Sequence, residues 1–237
     1  MVGDAADPAT ADRVGPSTRF LVVVGAACVV GLVAVIAWVL VDDLRPTGWD
    51  ATLHAAGLHN RAAALTTVAV AVSATSEYLA YVAAAVGAML VLRPRPWWFG
   101  AAAGLLLMAV EQGVRVAIAA LVGRSRPPEG DWEMHAAGFS MPSGHTATAT
   151  CAAGLLSLGL VYCVRAAWRF AVMAVLVLWA LVDGVGRVYL GVNWPTDVVA
   201  GWLLGALFTV LAAALFARRH RTLRTRAPGR SPAGNWR

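Results

Sequence analysis

Long apolar runs dominate the sequence, and short polar segments separate them. The first run, residues 20–41, carries no charge and as a helix rising 1.5 Å per residue is long enough to cross a bilayer. A signal peptide is the alternative there, but the run is too long and no small-residue cleavage site follows it. Five more runs predict spans: one that ends at Leu92, then 97–122, 143–164, 170–190 and 198–217. The pattern predicts an all-α fold, a polytopic membrane bundle of six transmembrane helices.

The chain between the first two spans is mixed rather than apolar. A polar loop follows the first span and runs through Asp50. Residues 51–72 then combine apolar positions with His54, His59 and Arg61. We therefore expect this stretch to lie partly along the membrane surface before the second span begins.

The composition agrees with one membrane domain. With 59% hydrophobic residues, 14% charged residues and a mean hydropathy of +0.67, the chain is neither a soluble domain nor disordered over most of its length. Residues 20–217 are predicted to form the membrane domain. They lie between a disordered cytoplasmic tail, residues 1–19, and an Arg-rich cytoplasmic tail, residues 218–237.

The arginines predict the orientation in the cell membrane. All 19 Lys and Arg residues are Arg, and with six spans 13 of them share one side with both termini, five lie on the other side, and Arg115 lies within the third span. The positive-inside rule then places both termini in the cytoplasm. The Arg-rich tail is interpreted as a topology signal that contacts anionic membrane lipids. A nucleic-acid arm is the alternative, but the tail lacks interleaved aromatic residues before Trp236, so we expect no nucleic-acid partner.

Two outer loops contain arginines that topology does not explain. Arg124 and Arg126 lie in the loop 123–141, and Arg187 lies in the loop 186–197. Outer loops are normally poor in arginine. We therefore expect these charges to bind a ligand.

A Pro-Ser-Gly-His segment, residues 142–145, opens the fourth span. Ser143 is a good helix N-cap, the first N–H groups of the helix can bind an anion, and Gly144 lets a ligand approach the backbone. His145 can transfer a proton near neutral pH, and neighbouring arginines can grip phosphate with two hydrogen bonds. The combination predicts a phosphate site at the outer membrane surface. The alternative gives each residue an ordinary role as a cap or at the lipid headgroups.

These residues resemble the motifs of the type 2 phosphatidic acid phosphatase and haloperoxidase superfamily, in its six-span bacterial membrane form. That family has three motifs. The first is a Lys followed seven residues later by Arg-Pro, and the second is Pro-Ser-Gly-His. The third is Ser-Arg, then a His after five intervening residues, then an Asp four residues beyond the His. Here Arg126-Pro127, the segment 142–145, and Arg187 with Asp197 match in order and spacing. The resemblance implies a phosphatase that hydrolyses a lipid mono- or diphosphate, polyprenyl or glycerolipid, in a cavity at the outer leaflet.

The resemblance also implies roles for the matching positions. In the family the third-motif His forms a covalent phosphohistidine, the Pro-Ser-Gly-His histidine protonates the leaving alkoxide, and the Asp orients the nucleophile. The corresponding catalytic positions are His145, Asn193 and Asp197. The predicted phosphate ligands are Arg124, Arg126, Ser143, Gly144 and Arg187. No metal or other cofactor is predicted, because no cluster of carboxylates and histidines has ligand spacing.

Three positions depart from the family pattern. Ala119 stands where the family has Lys, Gly186 where it has Ser, and Asn193 where it has the nucleophilic His. The lone pair of an Asn amide nitrogen is delocalised into the carbonyl group, so Asn193 cannot form the phosphoryl intermediate. Dropping a nucleophile costs orders of magnitude in rate, although binding and electrostatic effects leave residual catalysis.

Other residues could replace the missing groups. Arg115, four residues before Ala119, lies on nearly the same helix face and could supply the missing charge, unless Glu111 neutralises it. His135 or water could attack the phosphate. Two functions stay open: a membrane phosphohydrolase acting on a phosphorylated lipid, or a pseudo-phosphatase that only binds such a lipid.

Overall fold

The described residues form seven α-helices and one 3₁₀ turn. The structure, a computed structural model, describes residues 17–93, 95–164 and 167–226. The helices are α1 (Thr18–Val41), α2 (Gly48–His59), α3 (Ala63–Val91), α4 (Trp97–Val122), α5 (Gly144–Cys163), α6 (Trp168–Tyr189) and α7 (Pro195–Arg226), with the 3₁₀ turn at Glu129–Asp131. No strand occurs in these three ranges, so the all-α prediction is confirmed.

The long helices have the length and apolar character of membrane spans. Helices α1, α4, α5 and α6, and α7 as far as Ala217, each pass this test alone. Helix α3 bends by 44° between Ala63–Ser76 and Tyr78–Val91, and its two halves pass the test only together, as a sixth candidate span. The outer surface of the bundle exposes many large apolar side chains, as a lipid-facing surface requires.

Helices α1 and α7 extend beyond residues 20 and 217, the predicted ends of the membrane domain. Helix α1 begins at Thr18, because the Ser17 side chain accepts a hydrogen bond from the Phe20 amide at 3.2 Å. Of the predicted disordered tail, residues 1–16 lie outside the described range. Helix α7 continues nine residues beyond 217 into the predicted Arg-rich tail, whose residues 227–237 lie outside the described range.

Helix α2 begins within the polar loop that the sequence predicts through Asp50 and continues into the stretch predicted to lie partly along the membrane surface. Its start is a capping box, in which Thr47 Oγ1 accepts from the Asp50 amide and Asp50 Oδ2 accepts from the Thr47 amide, each at 3.1 Å. With 12 residues, α2 is too short to be a span. The second span then begins at Ala63, within the stretch predicted to be partly superficial.

Helix α5 is the centre of the bundle and packs against α3, α4, α6 and α7. Two glycines permit this close packing. A Cβ atom on Gly87 of α3 would lie 2.5 Å from the Leu155 carbonyl, and one on Gly201 of α7 would lie 2.8 Å from the Ser143 carbonyl. The second contact fixes α7 beside the first turn of α5.

The connections gather the polar residues at one end of the bundle. Because the long helices alternate in direction, α2, the loop 123–143 and the loop 190–194 meet at the same end. The two ends of the described chain, Ser17 and Arg226, lie at the opposite end. The two loops that the sequence singles out are therefore neighbours in space.

Candidate functional site

A buried ion network joins the segments that surround the site. Arg124 is fully buried and donates from Nη1 to Asp197 Oδ1 and from Nη2 to Asp50 Oδ2, each at 2.7 Å. Thr196 reinforces the network, since its amide donates to Asp50 Oδ1 at 2.9 Å. The sequence predicts Arg124 as a phosphate ligand, whereas the structure places its guanidinium between two carboxylates. Arg124 ties the loop after α4 to α2 and to the start of α7.

Asp197 belongs to the same network. Its Oδ2 accepts from the Trp194 amide at 2.8 Å, which caps the start of α7, and also from the Ser140 hydroxyl. Its side chain is completely buried, and its contacts in the described residues do not include the side chain of Asn193. Asp197 therefore holds the two site loops together, and its link to Asn193 runs through the Ser140 hydroxyl, which donates to Asp197 and accepts from Asn193 Nδ2.

Asn193 is also occupied by protein contacts. It is only 1% exposed, and its Nδ2 donates to the Ser140 carbonyl at 2.9 Å. Its Oδ1 accepts from Ser143 Oγ at 3.3 Å and from Arg187 Nε at 3.5 Å. The amide thus connects the loop before α5 to the end of α6 at the rim of the site.

The first turn of α5 lies at the site without a side-chain cap. Ser143 occupies the N-cap position, but its side chain makes no capping hydrogen bond and instead contacts Asn193 and Thr146. The first N–H groups of a helix lack intrahelical acceptors and attract anions. Ser143 itself is buried, whereas Gly144 and His145 are half-buried and line the site.

Arg126 organises the loop between α4 and α5. Its Nη1 donates to the Val192 carbonyl at 2.7 Å. Its Nε and Nη2 donate to the carbonyls of three successive residues, Ala137, Gly138 and Phe139. Arg126 therefore uses four of its donor contacts to hold the main chain, while one face of the side chain lines the site.

Neighbouring charges act on Arg126. Burial lowers the pKa of its guanidinium, the Asp197 carboxylate raises it, and the positive charge of Arg115 lowers it. Arginine nevertheless stays charged in proteins, because its guanidinium is too strong a base to lose its proton there. Arg126 and Arg115 therefore add their positive charge to the same region.

His135 is held at the site from both sides. The preceding residue, Met134, places its Sδ atom 3.1 Å from Nη1 of Arg187. Two residues later, Ala137 accepts a hydrogen bond from Arg126 at 3.0 Å. His135 thus lies on a loop segment anchored to two arginines, and its exposed side chain lines the site.

The site is a cavity of about 450 Å³. Of the predicted residues, the structure brings together Arg126, Gly144, His145, Arg187 and Asn193, with Arg115 and His135, on its wall. Arg124, Ser143 and Asp197 are buried behind this wall. Three arginines and two histidines at the start of a helix form a cavity that favours an anion.

Sequence reasoning missed the polar residues that the spans contribute. Ser76 and Tyr81 of α3, Gln112 of α4 and Thr148 of α5 also line the cavity. Ser73 of α3 accepts a hydrogen bond from Arg187 Nη1 at 2.9 Å. The available signal is a polar residue inside an apolar span, which usually faces the bundle interior or a water-filled cavity.

The acidic and metal-binding side chains do not form a cation site here. Within the ranges that the structure describes, no group of three or more His, Cys, Asp or Glu residues is arranged to hold a metal ion. The charge on the cavity wall comes from arginine.

The fold and this site define a class of membrane proteins. The chain belongs to the PAP2 superfamily, whose family model matches residues 67–221. It is similar in structure to a transmembrane PAP2 type phosphatidylglycerolphosphate phosphatase from Bacillus subtilis, with a TM-score of 0.69 and 22% sequence identity over 82% of this chain and 96% of that chain. This likeness establishes the fold, a multi-pass helical membrane bundle.

Curated relatives match a shorter stretch. The chain is 35% identical over 80 residues to the phosphatidylglycerophosphatase B of Bacillus subtilis, covering 33% of this chain and 39% of the relative. The Escherichia coli K12 phosphatidylglycerophosphatase B is 40% identical over 79 residues, covering 32% and 30%. The undecaprenyl-diphosphatase of Sulfolobus acidocaldarius is 37% identical over 74 residues, covering 31% and 32%. The matches thus span about a third of the length of these relatives.

Proposed function

We propose that this protein hydrolyses a lipid mono- or diphosphate, polyprenyl or glycerolipid, in the arginine-lined cavity. The observation that carries the proposal is the convergence of Arg115, Arg187, His135 and His145 on one cavity at the start of α5. A phosphoryl group in this cavity meets positive charge from several directions, and this charge stabilises the negative oxygens of the transition state. The similar phosphatases named above support the same chemistry.

His145 is the proposed general acid. It lies in the first turn of α5, next to Gly144, where the helix start draws the phosphoryl oxygens. A histidine there can give a proton to the oxygen that leaves with the lipid. For a lipid diphosphate, that oxygen belongs to the phosphate which stays on the lipid.

His135 is the proposed nucleophile, because the amide of Asn193 cannot serve. One ring nitrogen of His135 bonds to phosphorus while the bond from phosphorus to the lipid-side oxygen breaks, and that oxygen takes a proton from His145. Water then attacks phosphorus, His145 takes a proton from the water, and the phosphorus–nitrogen bond breaks. Inorganic phosphate leaves and His135 is restored.

The proposed orientation places the cavity at the outer leaflet, with both termini in the cytoplasm. Four of the five arginines at the cavity end, Arg61, Arg124, Arg126 and Arg187, donate hydrogen bonds within the protein. These four arginines have roles within the fold. Most of the other arginines of the sequence are predicted to lie at the opposite end, as the positive-inside rule requires for a cytoplasmic face.

Cysteine labelling tests this orientation. In a Cys163→Ser background, a membrane-impermeant maleimide added to intact cells should label Glu129→Cys. Asn235→Cys should be labelled only after lysis. The reverse pattern would show that the cavity faces the cytoplasm.

Binding without hydrolysis is the second candidate function. The observation in its favour is Asn193, a buried residue whose amide is fully engaged in linking Ser140, Ser143 and Arg187. A protein that keeps the arginines but lacks the family nucleophile can still recognise a phosphorylated lipid.

Phosphate release from a panel of lipid mono- and diphosphates separates the two functions. The purified detergent-solubilised protein should release phosphate, and His145→Ala should lower the rate by about 10²–10⁴-fold, the usual contribution of a general acid. The matched control is His59→Ala on the exposed end of α2, which should leave the rate unchanged. Wild-type protein that binds these lipids but releases no phosphate would support the binding function instead.

A further inference from the structure

Arg115 differs from the other two arginines of the cavity in how its guanidinium is used. Its Nε donates to Gln112 Oε1 at 3.1 Å, and this is its one hydrogen bond to the described residues. Arg126, by contrast, holds four main-chain carbonyls, and Arg187 contacts Ser73 and Met134 through Nη1. Arg115 thus lines the cavity without a hydrogen bond from either Nη group to a described residue.

Gly144 makes the position of Arg115 possible. A Cβ atom on Gly144 would lie 3.3 Å from Arg115 Nε and 3.4 Å from Arg115 Cζ. The guanidinium thus lies directly against the first residue of α5, and the N-terminus of this helix carries partial positive charge. Positive charge facing a positive helix end is unfavourable by itself and becomes favourable when an anion bridges the two.

Glu111 does not neutralise Arg115 by direct contact. It lies one turn earlier on α4 and is fully buried. The ion pairs formed among the described residues involve other side chains, and none joins Glu111 to Arg115 within the 4.0 Å limit of a salt bridge. The Nη groups of Arg115 are thus left for a ligand.

We propose that Arg115 is the principal phosphate-binding arginine of the cavity. Its two Nη groups, together with the first amides of α5, bind the oxygens of the phosphoryl group in the bidentate manner that guanidinium favours. Arg115 lies one helical turn before Ala119 and supplies the positive charge that the family resemblance places at position 119. This inference rests on the proposed function only in that the cavity binds a phosphoryl group. A protein that binds a phosphorylated lipid without hydrolysing it would need the same contact.

Binding of inorganic vanadate, a phosphate analogue, tests the role of Arg115 without requiring turnover. Loss of a charge-assisted contact should weaken binding by about tenfold or more in Arg115→Met. The matched control, Arg95→Met, removes an exposed arginine at the opposite end of the bundle and should leave binding unchanged. Melting temperatures of all variants in detergent report whether the fold is intact.

Two further variants restore charge. Arg115→Lys keeps a cation at position 115, and the double variant Arg115→Met/Ala119→Lys returns it to the position that the resemblance indicates. At least one of these two variants should regain half or more of the lost vanadate affinity, measured on a logarithmic scale. A purely structural role for Arg115 does not predict this recovery.

Three outcomes would overturn the inference: wild type that binds no vanadate, less than a tenfold loss in Arg115→Met, or no recovery in either charged variant. Phosphate release by wild type, measured separately, distinguishes this failure from failure of the proposed hydrolysis. A silent but vanadate-binding protein overturns only the hydrolysis.

Discussion

Replacing His135 by alanine is expected to lower single-turnover phosphate release by about 10³-fold or more, the scale of losing a nucleophile. Vanadate binding should persist, because Arg115 and the start of α5 are untouched. The loop itself should also persist, since its anchors are Met134 and Ala137 on either side of the histidine. The measurement is rapid-quench release from a labelled lipid phosphate, with His59→Ala as the matched control.

A trapped intermediate gives this prediction a second readout. Quenching wild type during turnover should leave a phosphoryl label on the protein that is stable in base and labile in acid, as expected for phosphohistidine. His135→Ala should carry no such label. A variant that keeps more than a tenth of wild-type release would show that water or another residue makes the attack.

Restoring the family residue adds a decisive comparison. In a His135→Ala background, Asn193→His should regain release if the cavity is otherwise competent. Activity that appears only when histidine occupies position 193, with wild type silent, would identify the natural protein as a binding form of the fold.

The span pattern could be predicted because it depends on local composition. Residues 97–122 match α4 residue for residue, and the predicted starts and ends of α5 and α6 lie within two residues of the observed ones. Helix α2 was missed although its start carries a local signal, the Thr47–Asp50 capping box. Its first three residues fall in the predicted polar loop, and the rest fall in the stretch predicted to lie partly along the membrane surface.

The roles of the site arginines could not be separated from the sequence. Arg124 and Arg126 lie two residues apart in one loop and look equivalent. What distinguishes them is a partner far away in the chain, Asp50, which binds Arg124 inside the protein. The same holds for Asp197, whose contacts with Arg124 and Ser140 depend on how α7 docks on the loop. Motif spacing locates such residues but does not show which of them face the cavity.

Removing Arg124 should be the most destabilising single change at this end of the bundle. Arg124→Met leaves Asp50 and Asp197 buried without their cation, and breaking a buried ion pair by removing one partner costs about 3–5 kcal/mol. For a chain of this size, that corresponds to a fall of roughly 6–20 °C in the midpoint of thermal unfolding. The midpoint can be measured in detergent, with Arg95→Met as the matched control.

A graded companion variant tests whether the network is the cause. Asp50→Asn keeps a similar shape and leaves Arg124 paired with Asp197, so its loss of stability should be clearly smaller than that of Arg124→Met. Any loss of vanadate binding in Arg124→Met should follow its loss of stability and vanish where the variant is fully folded, because the guanidinium lies behind the cavity wall. If Arg124→Met kept the wild-type midpoint but lost vanadate binding, Arg124 would be a phosphate ligand after all, as the sequence alone predicts.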